Sequence, residues 1–490
     1  MKQWKTLTLG LMAVVAFSLS GCTENPGDSN SSGNSGSDSQ GTSLPDYQTG
    51  DVIYHEKVVY DTSKEAYNVS MALNSEEKAK AVTCGLTIAT ASQYSTRNGI
   101  LTVSGSFMSQ LDLGERTLVV TLESGTKVGF ELMVVTKIIT TAMEFQNINE
   151  DLNGIYVLGN DIDLSDIPNF EPLGFFNGET DPNNHYFHGI LEGNGYMVKD
   201  ARVFYASSTD SSEDVYYGDS LFEEEAHQAG NNIGLFQIIG EGGIVRNIHF
   251  DNIKVRGRTI VGAIAGIVAG TLENCLLTNS RVQMGTHFYD NDCNMGAVAG
   301  SVTATGKIKN VISTLAAGSL SVPNIFKDFS ADYIGKIGNG WDHVAEPNNT
   351  DPWWQFANVD RPLMRYDSQG KNPVDSGTKE IDSNGTQSNG VYGLVGKTWG
   401  QIDDSYCLAY AYTPFEGTSR TINLTQTHKT SIKPASGDVD MGIIVNSGVK
   451  TAIELKQSSL YTAYDANVWH IADGSYPSLI APQIVTTIAE

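Results

Sequence analysis

The chain repeats itself loosely, and this repeat limits its possible folds more than any other feature. Residues 233–255 and 261–282 share one alternation of apolar and polar residues, and further copies begin at Gly306 and Gly400. Alternation within a copy predicts a strand with one buried face, and the variable spacing of the copies predicts loops of variable length. Positions that match 27 residues apart are Gly243 and Gly270, Val245 and Leu272, Asn247 and Asn274, Ile248 and Cys275, Phe250 and Leu277, Asn252 and Asn279, and Val255 and Val282.

A repeat of this length cannot bury its own apolar face, so the copies must stack as in a parallel β-helix. Cys275 takes an apolar position and is expected to be an unreactive core thiol. One equivalent position is polar in every copy, and stacked amides there can tolerate unusual backbone angles and form a hydrogen-bonded ladder. The residues at this position are Asn247, Asn274, Asn310 and Asp404. The glycine pairs expected at tight corners between sheets are Gly262 with Gly266 and Gly296 with Gly300.

Composition agrees with an all-β protein of more than one domain. The chain has 490 residues, 50 of them glycine, and only 18% are charged; this favours turn-rich β structure over helical bundles. The net charge of −25 repels phosphate backbones and anionic headgroups. Nucleic acid is therefore excluded as a partner.

The N-terminus has the layout of a secretory signal. Lys2 and Lys5 precede an apolar run that is too short to span a membrane, and small residues follow it. The segment Leu19-Ser20-Gly21-Cys22 resembles the lipobox of bacterial lipoproteins, which implies removal of residues 1–21 and acylation of Cys22. Residues 22–47 are rich in Ser, Gly and Asn and are expected to form a disordered tether. The expected location is extracytoplasmic, with the protein held at the bacterial cell surface by its lipid anchor.

Short alternating runs between residues 48 and 137 predict an antiparallel sandwich with one core. The region is similar to the immunoglobulin-like X module found beside bacterial carbohydrate-active domains, which implies a surface context and no reaction. The likeness rests on residues 60–61, 68–74, 93–95, 98–103 and 111–117.

Residues 138–490 resemble the GLUG-motif repeats of bacterial surface proteins. The likeness begins at 155–164 and continues through 187–196 and 234–236, and the chain departs from it by inserts at 205–231 and 324–389. The expected fold is therefore all-β, with an N-terminal immunoglobulin-like sandwich followed by a right-handed parallel β-helix of the pectin-lyase type. Trp354 and Trp469, each eight residues before a proline, are expected to close or cap rungs.

Catalytic motifs are missing from the sequence. It contains no H-E-x-x-H, G-x-S-x-G, P-loop or dinucleotide motif. Polysaccharide lyases and glycosidases place carboxylates and basic residues on an outward sheet face, and four residues fit that description. They are more simply explained as the outward residues of alternating strands. These residues are Glu192, Arg246, His249 and Asp251.

The insert at 205–231 is the strongest candidate binding surface. It carries seven acids and no Lys or Arg, so calcium is a candidate ligand, and its aromatic rings can stack on sugars. A solvated loop without a ligand is the alternative. The aromatic candidates are Tyr205, Tyr216 and Tyr217, and the candidate metal ligands are Asp210, Glu213, Asp214 and Asp219.

These features favour a lipid-anchored surface protein that is not catalytic and acts in adhesion or ligand binding. Its partners would be the membrane, through the lipid anchor, and a glycan or a host or matrix protein. Two alternatives stay open. The first is a β-helical polysaccharide lyase or glycosidase, which needs carboxylates converging on one cleft. The second is a structural stalk or spacer that binds nothing.

Overall fold

The protein is seen in a computed structural model, and its described residues belong to one compact unit, Leu44–Glu490. They are all-β: among them, the two α-helices have only four and five residues. The structure describes residues 52–54, 57–168, 170–176, 184–204, 232–257, 260–284, 294–315, 320–321, 364–366, 373–375, 390–409, 411–415, 418–421, 426–427, 442–480 and 486–488.

The first part of the chain, residues 52–135, is called the two-sheet region, and its described residues form nine strands and one short helix. Strands β1, β3, β7 and β6 form one sheet, and β2, β9, β8, β4 and β5 form the other, in those orders. Buried side chains of both sheets and of the helix form one apolar cluster, so the sheets pack face to face. The elements are β1 Val52–Tyr54, β2 Lys57–Asp61, β3 Val69–Ala72, β4 Ala79–Cys84, β5 Thr87–Ile88, β6 Tyr94–Arg97, β7 Ile100–Val103, α1 Gly105–Met108, β8 Gly114–Leu122 and β9 Lys127–Val135.

The second part, the stack, follows after one residue. Its first elements are β10 Lys137–Ile139, α2 Ala142–Gln146, a 3₁₀ turn at Asn147–Glu150, β11 Ile155–Leu158, β12 Ile162–Asp163, β13 Ile190–Glu192, β14 Met197–Lys199, β15 Arg202–Phe204, β16 Asn232–Ile233, β17 Phe236–Ile239, β18 Ile244–Asp251, β19 Lys254–Gly257, β20 Ile260–Val261, β21 Ala265–Val268, β22 Thr271–Thr278, β23 Arg281–Met284, β24 Asn294–Gly296, β25 Ala299–Val302, β26 Lys307–Ser313 and β27 Leu320–Ser321.

The remaining elements complete the stack and the C-terminus. They are β28 Met364–Tyr366, β29 Pro373–Asp375, β30 Gly390–Tyr392, β31 Val395–Thr398, β32 Gln401–Asp403, β33 Tyr406–Leu408, β34 Ala411–Phe415, β35 Thr418–Thr421, β36 Gln426–Thr427, β37 Ile443–Val445, β38 Gly448–Lys450, 3₁₀ turns at Glu454–Lys456 and Ser458–Tyr461, β39 Trp469–His470, β40 Ser478–Leu479 and β41 Thr486–Ile488. Antiparallel pairs join β28 to β29, β34 to β35, and β39 to β40.

Equivalent strands of successive copies pair in parallel. The largest sheet, which we call the main sheet, runs β10-β11-β13-β18-β22-β26-β32-β37, with β12, β14, β33 and β38 attached. Three further sheets run β15-β19-β23-β27, β16-β20-β24-β30 and β17-β21-β25-β31-β36. The predicted 27-residue register is confirmed, because Ile248 lies opposite Cys275 and Phe250 opposite Leu277.

The core of the stack is a continuous apolar cluster. Ile248, Phe250, Leu277 and Val311 are fully buried in it, as alternation within each copy predicted. Cys275 is also fully buried, and this burial raises the pKa of its thiol well above the ordinary range. The predicted core position of this thiol is therefore confirmed, and its burial favours the low reactivity that was expected.

The predicted ladder is present for its three asparagines, and Asn310 Oδ1, which would continue it towards Asp404, is buried without a hydrogen-bond partner. Asn274 donates to Asn247 over 3.0 Å, and Asn310 donates to Asn274 over 2.9 Å. These three residues and Asp404 adopt left-handed φ angles between 45° and 58°, a conformation that Asn and Asp tolerate better than most residues. These residues thus give the backbone the same left-handed conformation at the equivalent position of each repeat.

One glycine of each pair lies at a corner between sheets, as expected: Gly262 lies between β20 and β21, and Gly296 is the last residue of β24. The other two, Gly266 and Gly300, lie inside β21 and β25 instead. A Cβ atom on Gly266 would lie 2.6 Å from the backbone carbon of Asn232, and one on Gly300 would lie 2.5 Å from the backbone nitrogen of Val261. Glycine therefore permits close approach of two backbones across the stack.

The first end of the stack is covered by α2. Thr141 accepts a hydrogen bond from the backbone N–H of Glu144, and the Glu144 carboxylate accepts one from the backbone N–H of Thr141, each over 3.2 Å. This capping box starts the helix, and Phe145 is fully buried in the main core. The outer edge of β10 is also occupied, since Asp61 accepts from the backbone N–H of Ile138 over 3.2 Å.

The C-terminal segment, residues 451–480, folds back over the outward face of the main sheet. Its buried side chains pack on three outward residues of successive rungs, Leu276, Ile312 and Tyr406. Trp469, which was expected to close or cap a rung, instead lies on this face and donates from Nε1 to Asn274 over 3.2 Å. Beyond this segment, β41 pairs antiparallel with β1, so the last strand completes the first sheet of the two-sheet region.

Candidate functional site

The sequence-predicted site residues lie outside the described residues. They are Cys22, Tyr205, Asp210, Glu213, Asp214, Tyr216, Tyr217 and Asp219. The strand ends that flank their insert are described, however, and these ends show where the insert leaves the stack.

Four connections begin and end at one corner of the stack, which we call the insertion corner. Each joins a strand of the β15-β19-β23-β27 sheet to a strand of the β16-β20-β24-β30 sheet. Two of them are the long inserts recognised in the sequence, and another is only two residues long, Arg258 and Thr259. The four connections are 205–231, 258–259, 285–293 and 322–389. Because neighbouring strands lie about 4.8 Å apart, the four pairs of anchor points span roughly 15 Å of the stack.

The outward face of the main sheet carries a row of alternating charges. Parallel pairing places one residue from each of five strands side by side, and the charge changes sign at every step. Lys309 and Glu273 form an ion pair with 2.9 Å between nitrogen and oxygen. In order, the row is Glu192, Arg246, Glu273, Lys309 and Asp403.

Glu192 and Arg246 are two of the four residues considered for a polysaccharide lyase or glycosidase. In the structure they lie where the stack contacts the two-sheet region. The carboxylate of Glu192 is buried and accepts from Arg246 Nε over 2.8 Å and from Asn247 Nδ2 over 2.9 Å. Arg246 also pairs with Glu115 of β8. Burial alone lowers the pKa of Arg246, but the two carboxylates outweigh it and raise that pKa. This network joins the two parts of the chain.

His249 and Asp251, the other two residues of that alternative, lie on the same face. His249 Nε2 is 2.7 Å from the hydroxyl of Thr278, which in turn donates to Asp251. A hydroxyl has one proton, so His249 must donate to Thr278. A nucleophilic hydroxyl would instead donate to the histidine. Burial lowers the pKa of His249. The arrangement therefore suits a structural network rather than an activated nucleophile.

One small pocket lies where the two-sheet region, the stack and the C-terminal segment meet. It encloses about 260 Å³, part of it open solvent, and is thus smaller than the pockets that usually hold organic ligands. Asn194 Oδ1 is buried there without a hydrogen-bond partner, which suits a water molecule. The residues that line it are Lys57, Glu192, Asn194, Gly195, Asn247, Val468 and Ile480.

A second solvent-facing feature was not predicted from the sequence. It is formed by residues 173–176 and 184–188, and we call it the aromatic hairpin. Leu173 pairs with Phe236 and Phe187 with Ile239, so both residues hold positions beside β17. Between them, Phe175 pairs antiparallel with His185. The closely spaced aromatic and histidine residues at 175–176 and 185–188 were the available signal.

This hairpin carries two groups of aromatic and histidine rings. Phe175 and His185 stack with centroids 5.8 Å apart. Phe176, Tyr186 and His188 form a row with centroid spacings of 6.4 and 6.1 Å. His185 and His188 are exposed, and the other three rings are half-buried. His188 Nδ1 lies 2.9 Å from the backbone oxygen of Glu241, which orients its ring.

The described residues contain neither a metal-binding cluster nor a helix that could span a membrane. No group of three or more His, Cys, Asp or Glu side chains in this part of the chain is placed to hold a metal ion. Within the same residues, no helix is long and apolar enough to cross a bilayer.

Comparisons with known proteins give partial similarities. No protein-family model matches the chain. Halomucin of Haloquadratum walsbyi is 30% identical over 196 residues, which cover 38% of this chain and 2% of that protein. A protein of Evansella cellulosilytica described as a Gly-rich membrane protein is 33% identical over 147 residues, 28% of this chain and 14% of that protein. The chain thus matches only a small part of each relative.

Proposed function

We propose that this protein is a lipid-anchored, non-catalytic binding protein of the bacterial cell surface that acts in adhesion or in capture of a glycan or of a host or matrix protein. In this proposal residues 1–21 are a signal peptide, Cys22 is acylated, and residues 22–47 are the tether. The two-sheet region is an immunoglobulin-like sandwich, and the stack is a right-handed parallel β-helix of the pectin-lyase type.

The observation that carries the proposal is the shared origin of the long inserts at the insertion corner. In stacked repeats, insertions collect on one face, and that face is often the binding face. The tyrosines and carboxylates predicted to bind a ligand belong to residues 205–231, which are anchored at Phe204 and Asn232. Residues 322–389 leave from the same corner.

Hydrogen bonds on the outward face of the stack support the proposal that the stack acts as a scaffold. The outward charged groups of β13 and β18 are held in hydrogen-bonded networks, and such networks favour a rigid surface that presents its insertions in fixed places. The names of the relatives, halomucin and a membrane protein, agree with a location outside the cytoplasm.

A loop exchange tests the role of the insertion corner. Residues 205–231 are replaced by Arg-Thr, the two residues that make the same connection one rung later. We expect an unchanged melting temperature and loss of binding on a glycan and matrix-protein array probed with residues 44–490. Full binding by the exchanged protein contradicts the proposal, and release of cleaved product from a polysaccharide panel favours the enzyme alternative.

Calcium binding by the same insert is tested by calorimetry. Seven carboxylates without a basic partner repel one another, so a bridging divalent ion is expected to bind them. Heat should be released on calcium addition to the intact protein and not to the exchanged one. Equal, negligible heats in both would show that Asp210, Glu213, Asp214 and Asp219 hold no calcium.

Lipidation is tested at Cys22. We expect the wild type to partition with membranes and Cys22→Ala to appear in the soluble fraction, because several acyl chains anchor durably and the substituted chain has none. Equal partition of both proteins would contradict the lipid anchor.

A further inference from the structure

We propose that the aromatic hairpin is a second binding site, separate from the insertion corner, and that its row of Phe176, Tyr186 and His188 takes a neutral pyranose chain. The proposal takes the surface-binding role stated above as given. It assigns a site and a ligand chemistry to rings that the core of the stack does not use.

The core is complete without these rings. Phe187 is fully buried and contacts Phe236 with centroids 5.1 Å apart, and Leu173 is fully buried as well. These two residues anchor the hairpin. Gly174 allows the chain to leave the stack after Leu173, because its φ of 87° favours glycine.

The geometry of the row fits a chain of sugars. Side chains alternate along a hairpin strand, so Tyr186 and His188 share one face, and Phe176 joins them from the opposite strand. The centroids follow one another at 6.4 and 6.1 Å. Neighbouring ring planes are tilted by 39° and 53°, so the row forms a curved surface on which sugars can pack, and the Tyr186 hydroxyl and the His188 ring add hydrogen-bonding groups at the rim.

Hydrogen bonds hold the row in place before any ligand arrives. The backbone N–H of Phe176 donates to the side chain of Gln237 on β17, and His188 is fixed by the carbonyl of Glu241. Rings that are already ordered lose little conformational freedom on binding. The net charge of −25 disfavours acidic polysaccharides, so the ligand is neutral.

The test uses the protein from residue 44 onward with soluble neutral oligosaccharides and one acidic oligosaccharide as probes. The double variant Phe176→Leu with Tyr186→Leu keeps apolar side chains at both positions and removes two ring faces. We expect binding of a neutral oligosaccharide to weaken by roughly tenfold or more, with an unchanged melting temperature. Tyr186→Phe keeps the ring and should retain most of the affinity.

The matched control is Tyr476→Leu, which removes a half-buried ring on the C-terminal segment, where the ring lies 4.7 Å from Lys456 Nζ. It should leave binding unchanged. Loss of binding in this control to the same extent as in the double variant would overturn the assignment. So would preferential binding of the acidic probe.

The outcomes also separate this inference from the proposed function. If the double variant binds like the wild type while the Arg-Thr loop exchange abolishes capture, the hairpin site is wrong and the surface-binding role stands. If the wild type binds a matrix protein and no oligosaccharide, the ligand class is wrong. If it binds no probe on either array, both proposals fail.

Discussion

The molecule uses one short sequence pattern twice, with different results. Residues 141–145 read Thr-Ala-Met-Glu-Phe and residues 451–455 read Thr-Ala-Ile-Glu-Leu. In both, the threonine hydroxyl accepts from the glutamate N–H over 3.2 Å, the third residue is exposed, and the fifth is fully buried. The first turn begins α2 over the end of the core, and the second begins the 3₁₀ turn Glu454–Lys456 on the outward face.

The difference shows what local sequence decides and what it does not. A capping box determines where a turn begins and which side chain points inward. The surface that receives that side chain depends on the rest of the fold. At the first turn, Phe145 joins the continuous core beside Phe170, with centroids 5.8 Å apart. At the second, Leu455 joins a separate cluster with Tyr461 and Trp469.

Removing the buried residue of each turn should break this comparison most clearly. Phe145→Ala is expected to cost about 3–5 kcal/mol of the free energy of unfolding of the whole stack, because it opens a cavity at its covered end. Leu455→Ala, at about 2–4 kcal/mol, should loosen the C-terminal segment first. Denaturant titration followed by far-UV circular dichroism and by tryptophan fluorescence separates the two effects.

The control for that experiment is Trp469→Phe, which assigns the fluorescence change to the C-terminal segment. A single coincident transition in Leu455→Ala, seen by both probes, would show that the segment and the stack unfold together. The proposed difference between the two turns would then be wrong.

Removing the caps should have a smaller effect. Thr141→Ala loses the side-chain acceptor at the start of α2 and should destabilise the protein by about 1 kcal/mol. Thr451→Ala should cost less, because the 3₁₀ turn that follows has three residues and depends more on packing. Thermal unfolding of the two variants measures this order, and a larger loss for Thr451→Ala would reverse it.

The smallest expected effect depends on pH. Partial burial raises the pKa of Glu144, but hydrogen bonds from Thr140 and Lys137 outweigh it and lower that pKa from 4.5 to about 2. A carboxylate with a lowered folded pKa stabilises the fold above its unfolded pKa, and this stabilisation disappears as the pH falls from about 4.5 towards 2. The melting-temperature gap between wild type and Glu144→Gln should therefore close over that range.

Glu454→Gln is the matched control for the pH series. Hydrogen bonds from Thr451 lower the pKa of Glu454 as well, but Glu144 also forms an ion pair with Lys137, so the gap for Glu454→Gln should be the smaller one above pH 4.5. A gap for Glu144→Gln that is constant between pH 6 and pH 2.5 would exclude a role for its ionisation.

The repeat allowed much of the stack to be predicted from sequence. Alternation and spacing identified the facing pairs Ile248 with Cys275 and Phe250 with Leu277, and the ladder of asparagines. These features are local or recur in every copy, so a pattern within one chain reveals them. Tertiary packing then follows because each copy can bury its apolar face only against the next.

Other features could not be predicted, because nothing repeats in them. Trp469 donates to Asn274 across 195 positions of sequence, and β41 pairs with β1 across the whole folded chain. The aromatic hairpin interrupts a rung, so its residues fall outside the alternation. The predicted ligand residues of 205–231 stay predictions, since their insert lies outside the described residues.

The row of alternating charges on the main sheet favours the observed order of its strands over an order in which one strand is left out. If β18 were skipped during assembly, Glu192 would face Glu273, and if β22 were skipped, Arg246 would face Lys309. Omitting β26 would likewise bring Glu273 beside Asp403. Omission of any one of these three inner strands therefore places like charges side by side, which costs free energy. Because the copies are similar in sequence, wrong pairings between their strands are conceivable. The row of alternating charges makes such pairings less stable than the observed one.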